Sequence, residues 1–176
     1  MIKLRQPQIG IIGPAGVQNT TLIMIAKNLG NAIATNKAIL LFGFEGDLKS
    51  FSEIAARSCL KNGGKTVAFL WGGQKITDNY LKNFINISTG LERGGGREFV
   101  FIRSCDAVIA VNGGSGVLTE ISIAYQMSIP VITLKNSGGW GNKLANTYLD
   151  GRKKVLIQES DDEASAVRLA INCAKI

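Results

Sequence analysis

Apolar residues occur along this chain in short continuous runs, separated by stretches of helical spacing. Residues 8–13 form one such run, closed by glycine, and read as a buried strand. A polar, glycine-containing segment covers 14–20. Leu22, Ile25, Ala26, Leu29 and Ile33 then recur at helical spacing, with Asn19, Thr20 or Thr21 able to cap the helix. Residues 38–44 predict a second strand. Residues 50–60 predict a second helix, which Asn62-Gly63-Gly64 stops, and 66–71 a third strand. Residues 74–96 are polar and irregular, with a short strand at 84–87. A helix at 97–104, a strand at 107–111, a helix from the glycine-rich 112–116 to about 127, and strands at 130–134 and 154–158 follow. The last helix opens with the capping box Ser160-Asp161-Asp162-Glu163 and carries the stripe Ala164, Val167, Ile171 and Ala174.

Continuously apolar strands alternating with helices belong to a parallel sheet covered on both faces. Right-handed crossovers then give an α/β fold, a doubly wound, mostly parallel, Rossmann-like sheet with helices on both faces. A single domain over 1–176 is expected. In such sheets ligands bind at the carboxyl ends of the strands. Gly13 and Gly16, Gly43 and Gly46, Gly72 and Gly73, and Gly113, Gly114 and Gly116 all fall there.

Composition narrows the chemistry. The 176 residues are too few for a (β/α)8 barrel and suit one core that needs no disulfide or metal staple. There is no histidine, which removes Ser-His-Asp and Cys-His catalysis and imidazole zinc sites. Neither a metal nor a cofactor is expected. Cys59, Cys105 and Cys173 stand far apart, so they read as buried thiols in a reducing, cytoplasmic protein. No apolar run approaches the roughly 20 residues that span a membrane. The net charge is +7, but Lys and Arg are spread along the chain. Their one dense run, Arg152-Lys153-Lys154, follows the turn residues Asp150-Gly151. Without aromatic–basic interleaving, no nucleic-acid partner is expected.

Gly10-x-x-Gly13-x-x-Gly16 lacks the Gly-x-Gly-x-x-Gly spacing of a dinucleotide fingerprint, so it is either a tight turn or a backbone wall for a nucleotide. No Walker-type loop is present. The strongest segment is 107–120, a buried strand running through small residues into a helix. Its amides and the helix dipole favour a phosphate at Gly113, Gly114, Ser115, Gly116 and Val117. Glu120, expected in the first turn of that helix, either complements the dipole or faces a ribose or an attacking water. Arg97 follows Gly94-Gly95-Gly96 and is either a surface arginine or part of a loop that approaches something closely. Trp71 beside Gly72 is a packing or dimer contact, or a platform for a base.

Residues 113–120 resemble the Pro-Gly-Gly-x-Gly-Thr-x-x-Glu motif of the Lonely Guy (LOG), or "lysine decarboxylase-like", superfamily. That group pairs the motif with an arginine nine residues before the aspartate that opens the strand; here these are Arg97 and Asp106. The resemblance runs over most of the chain and is closest to a short branch that includes molybdenum-cofactor carrier proteins. It implies a site in which the 113–117 amides hold a 5'-phosphate, Glu120 binds ribose hydroxyls or aligns water at C1', and Arg97 orients the carboxylate or stabilises charge. Gly13 and Gly43 would form the ligand-facing turns after their strands. The implied activity is hydrolysis of the N-glycosidic bond of a nucleoside 5'-monophosphate; the implied assembly is a homodimer or higher homo-oligomer. Four positions depart from the pattern: Asn112 for proline, Val117 for threonine, Glu45 in the loop after the second strand, and Glu98 for lysine. Two functions follow: the hydrolase, or a non-catalytic carrier or sensor for a phosphorylated ligand such as a nucleotide or pterin phosphate.

Overall fold

The computed structural model describes residues 5–46, 50–72 and 83–174. Its elements are β1 (Gln8–Ile12), α1 (Thr20–Thr35), β2 (Ile39–Gly43), α2 (Phe51–Lys61), β3 (Lys65–Leu70), β4 (Ile85–Ser88), α3 (Arg97–Arg103), β5 (Ala107–Ala110), α4 (Ser115–Gln126), β6 (Val131–Leu134), α5 (Gly139–Lys143), β7 (Thr147–Tyr148), β8 (Leu156–Ser160) and α6 (Glu163–Cys173). The sheet order is β4-β3-β2-β1-β5-β6-β8-β7, parallel throughout except for the antiparallel β7–β8 pair. This is the doubly wound sheet that the alternating pattern predicts.

Strand β5 is buried at every position because both of its faces are covered. On one face, Ile9, Ile11, Leu40, Phe42 and Ile109 pack with Leu29 and Ile33 of α1, Ala55 of α2 and Val167 of α6. On the other, Ile12, Leu41, Phe69 and Val108 pack with Phe101 and Ile102 of α3 and Ile121 of α4. Asn19 caps α1, its side-chain oxygen accepting from the Thr21 N–H at 2.8 Å. At the amino end of β5, Asp106 accepts both arms of the Arg5 guanidinium (2.5 and 2.7 Å) and the Gln8 N–H (2.8 Å). No helix among the described residues is long and apolar enough to cross a membrane.

The pattern erred in places. The last strand runs from Leu156 to Ser160, two residues beyond the expected end. The last helix is capped by Asp162, which accepts from the Ser165 N–H at 2.7 Å, and not by Ser160. That start turns the helix so that Ala166, Val167 and Ala170 are buried while Ala164 is exposed. The short strand expected at 84–87 begins one residue later. Helix α5 and strand β7 were not foreseen. Both are short, and Gly138, Gly139 and Asn146 adopt positive φ around them, where apolar periodicity gives no signal. Gly73 and residues 74–82 of the irregular 74–96 stretch lie outside the described residues.

Candidate ligand-binding site

Chain order reverses between β1 and β5: β1 leads outward to β4 on one side, and β5 to β8 on the other. A crevice opens at such a switch point, beyond the carboxyl ends of the two strands. Here it is a cleft of about 550 Å³. Gly13, Pro14 and Ala15 after β1, Gly43 and Glu45 at the end of β2, Arg93, Gly94, Arg97 and Glu98 around the start of α3, and one face of α4 form its walls.

Helix α4 turns its N-terminal end to the cleft. Its first intrahelical bond from the loop runs from the Leu118 N–H to the Gly114 carbonyl at 3.1 Å, so the N–H groups of Ser115, Gly116 and Val117 precede it. Gly114, Ser115, Gly116 and Val117 all line the cleft; Gly113 does not. The Gly113 N–H is already bonded to Asn112 Oδ1 at 2.5 Å, and Val117 lies where a Cβ on Gly113 would be. Val117 is therefore a core side chain, and only its backbone is free to face a ligand. The Thr119 hydroxyl donates to the Ser115 carbonyl at 3.0 Å. Ser115 is exposed, and its hydroxyl makes no hydrogen bond among the described residues.

Asn112 explains one departure from the LOG pattern. Its φ is +54°, which proline cannot adopt and asparagine tolerates. Its amide donates to the Ser137 carbonyl at 2.7 Å, while its carbonyl holds the Gly113 N–H. The Gly141 and Trp140 N–H groups of α5 donate to the Asn112 and Gly113 carbonyls, both at 3.0 Å. The glycine loop is thus bolted to the missed helix α5.

Arg97 is the first residue of α3 and 1% exposed, so the surface reading fails. Gly96 precedes it with φ +138°, a conformation suited to glycine. Arg97 Nη2 donates to Glu45 Oε1 at 2.8 Å and to Glu98 Oε1 at 2.9 Å, and Nε donates to Glu98 at 3.2 Å. Glu45 also pairs with Arg93 Nε at 2.7 Å. Nη1 is buried with no hydrogen-bond partner among the described residues. It lies against Gly43, where any Cβ would collide with the guanidinium. Gly43 lines the cleft, but its bareness makes room for Arg97. Gly13 is similarly needed by Phe51, whose ring would stand 2.5 Å from a Cβ.

These neighbours set the charges. Burial lowers the Arg97 pKa, but the Glu45 and Glu98 carboxylates outweigh it and keep the guanidinium charged. Burial pushes Glu98 up, but the Gly94 N–H (2.9 Å), its own N–H and Arg97 hold it below the usual glutamate range. Glu120 sits in the second turn of α4, not the first, one turn below Gly116 and on the same cleft-lining face. Among the described residues it makes no hydrogen bond or ion pair. Burial, opposed by Arg97 and reinforced by Glu45 and Glu98, pushes its pKa up to about 8, with Arg93 a weaker opposing influence. It therefore carries its proton at neutral pH.

Of the residues read from sequence, Arg97, Glu120, Gly13, Gly43, Gly114, Ser115, Gly116 and Val117 converge on one cleft. Arg93, Pro14, Ala15 and Ser52 join them unforeseen. Arg93 had a faint signal, being a charged residue directly before the triple glycine. Trp71 is not among the lining residues. Cys59 and Cys105 are buried and Cys173 half-buried. No cluster among the described residues is arranged to hold a metal ion.

A doubly wound sheet with a glycine loop and helix N-terminus at its switch point defines a Rossmann-like ligand-binding protein. Residues 6–166 match the SLOG cluster4 family, and the chain belongs to it. An uncharacterised protein of Archaeoglobus fulgidus is 32% identical over 128 residues, 73% of this chain and 80% of the relative. The crystal structure of TM1055 superposes with a TM-score of 0.81 at 26% identity, covering 93% of this chain and 98% of that one. The molybdenum cofactor carrier protein of Chlamydomonas reinhardtii superposes with a TM-score of 0.77 at 27% identity, covering 96% and 98%.

Proposed function

We propose that this protein binds a small phosphorylated ligand, a nucleoside monophosphate or a pterin phosphate, and holds it without cleaving it. The observation that carries the reading is the pairing of Arg97. A hydrolase of the LOG type would use this arginine and the motif glutamate on the reacting sugar. Here the arginine is engaged by Glu45 and Glu98, and the glutamate is neutral at pH 7. The α4 amides remain free for a phosphate. The similarity to a molybdenum cofactor carrier protein supports a carrier.

One observation favours hydrolysis. A carboxyl with a pKa near 8 facing the cleft could protonate a departing base as a general acid. Incubation with AMP, GMP and a pterin monophosphate separates the two. The carrier reading expects saturable binding in calorimetry and no free base or ribose 5-phosphate by chromatography. Release of base by the wild type that Glu120→Gln abolishes would overturn it. Absence of binding to all three at millimolar concentration would sink both readings.

The same probe yields a pH dependence. An anionic ligand is compatible with neutral Glu120 and repelled by its carboxylate. AMP affinity should therefore hold from pH 6.5 to 7.5 and fall as pH rises through about 8. Of the other ionisable groups lining the cleft, Arg93, Arg97, Glu45 and Glu98, Arg97 is held above its ordinary value and Glu98 below its own, so neither changes charge across that window. Glu120→Gln should flatten the profile. An unchanged decline in that variant would assign it to another group.

A further inference from the structure

We propose that Glu45 is a specificity-determining residue that occupies, from within the chain, the place of a ligand's second anionic group, and so restricts the cleft to ligands with a single phosphate. The inference rests on phosphate binding at the α4 N-terminus. It concerns the opposite wall of the same cleft.

Two arginines reach into that wall, and one carboxylate holds both. Glu45 Oε1 accepts from Arg97 Nη2 at 2.8 Å, and Oε2 forms an ion pair with Arg93 Nε at 2.7 Å that lacks hydrogen-bond geometry. A carboxylate spread across two guanidinium groups is the arrangement by which proteins seize a ligand carboxylate or phosphate. Arg97 is buried and cannot turn to solvent, whereas Arg93 is 55% exposed, and Glu45 is its only ion-pair partner among the described residues. Glu45, Arg93 and Arg97 line the cleft together with Ser115 and Gly116, so a phosphate on the helix end and a second anion at the arginines would share one cavity. With Glu45 in place, that second anion meets a site whose charge is already neutralised and must displace or repel a carboxylate. Among the described residues Arg97 Nη1 is buried without a hydrogen-bond partner, so the two N–H groups on that one nitrogen are all that Arg97 offers beyond the pair.

Neutralising Glu45 tests this. Glu45→Gln keeps the side-chain length and one acceptor oxygen for Arg97, so the wall should stay folded; circular dichroism and the melting temperature check it. AMP and ADP, without divalent metal, are titrated into both proteins by calorimetry. Wild type should prefer AMP over ADP by at least tenfold. Glu45→Gln should raise ADP affinity by at least tenfold while changing AMP affinity by less than threefold. Adding Arg93→Gln to Glu45→Gln should remove most of the ADP gain, because the second anion loses one of its two cations. Equal binding of AMP and ADP by wild type, or an ADP-to-AMP ratio unchanged by Glu45→Gln, would overturn the role of Glu45 and leave phosphate binding intact. Failure of both proteins to bind either nucleotide would overturn phosphate binding and this inference with it. If Glu45→Gln unfolds, the wild-type AMP-to-ADP ratio alone still decides against the proposal when it is near one.

Discussion

Replacing Arg97 with methionine is expected to lower the free energy of unfolding by about 3 kcal/mol at pH 7, read by urea denaturation. Methionine fills much of the space but leaves two carboxylates without their cation. Glu98 retains the Gly94 N–H, and Glu45 retains Arg93, which keeps the loss from being larger. Arg97→Lys should recover only part of it, because one ammonium cannot reproduce the fork that serves Glu45 and Glu98 together. The effect carries a pH signature. Glu98 is held below its ordinary pKa in the folded wild type, so the unfolded chain takes up its proton first as pH falls. Its contribution is present above the ordinary glutamate range and disappears as pH falls through the lowered value, so wild type and Arg97→Met should converge in acid. A loss below about 1 kcal/mol at neutral pH would mean that these pairs behave like exposed ones.

Gly139→Ala is expected to cost about 3 kcal/mol and to weaken phosphate binding more than tenfold. Gly139 has φ +57°, and a Cβ there would lie 2.5 Å from the Asn112 carbonyl carbon and the Gly113 oxygen and 2.6 Å from the Gly113 nitrogen. Every obstacle is backbone, so relief requires moving the glycine loop away from α5. That loop aims the α4 amides, hence the coupled loss of affinity. Gly116→Ala is the contrast. A Cβ there meets nothing within 4 Å, and the residue is helical, so stability should hold or rise by up to about 1 kcal/mol. Wild-type stability in Gly139→Ala would show that α5 does not brace the loop.

The extent to which the sequence foretold this molecule differs by region. The central strands were legible because burial on both faces demands unbroken apolar runs such as Ile11-Ile12 and Ala107 to Ala110. α5 was not, because a helix of Gly-Trp-Gly-Asn-Lys carries no apolar period and forms through its bonds to Asn112 and Gly113. In the site, the convergence of Arg97 and Glu120 on one cleft followed from the family resemblance. The partners that neutralise Arg97 did not. Glu45 was visible as an acidic intruder, but its engagement of Arg93 across the cleft depends on the β2 and α3 loops meeting, which no local pattern encodes. Asn112 looked like a lost proline and is a latch, a role that its positive φ reveals.

The sheet order has one more consequence. The walls of the cleft come from the two halves of the chain, 11–52 and 93–120, which meet through the pairing of β1 with β5, as of Ile9 with Ala107, and through the ion pairs of Glu45 with Arg93 and Arg97. That pairing closes a long loop and bears a correspondingly large entropic cost, so it belongs with the slow, non-local part of assembly. Neither half alone contains a cavity to fill. Occupancy of the cleft therefore reports that both halves have come together, and a ligand that binds there stabilises contacts between residues about a hundred positions apart.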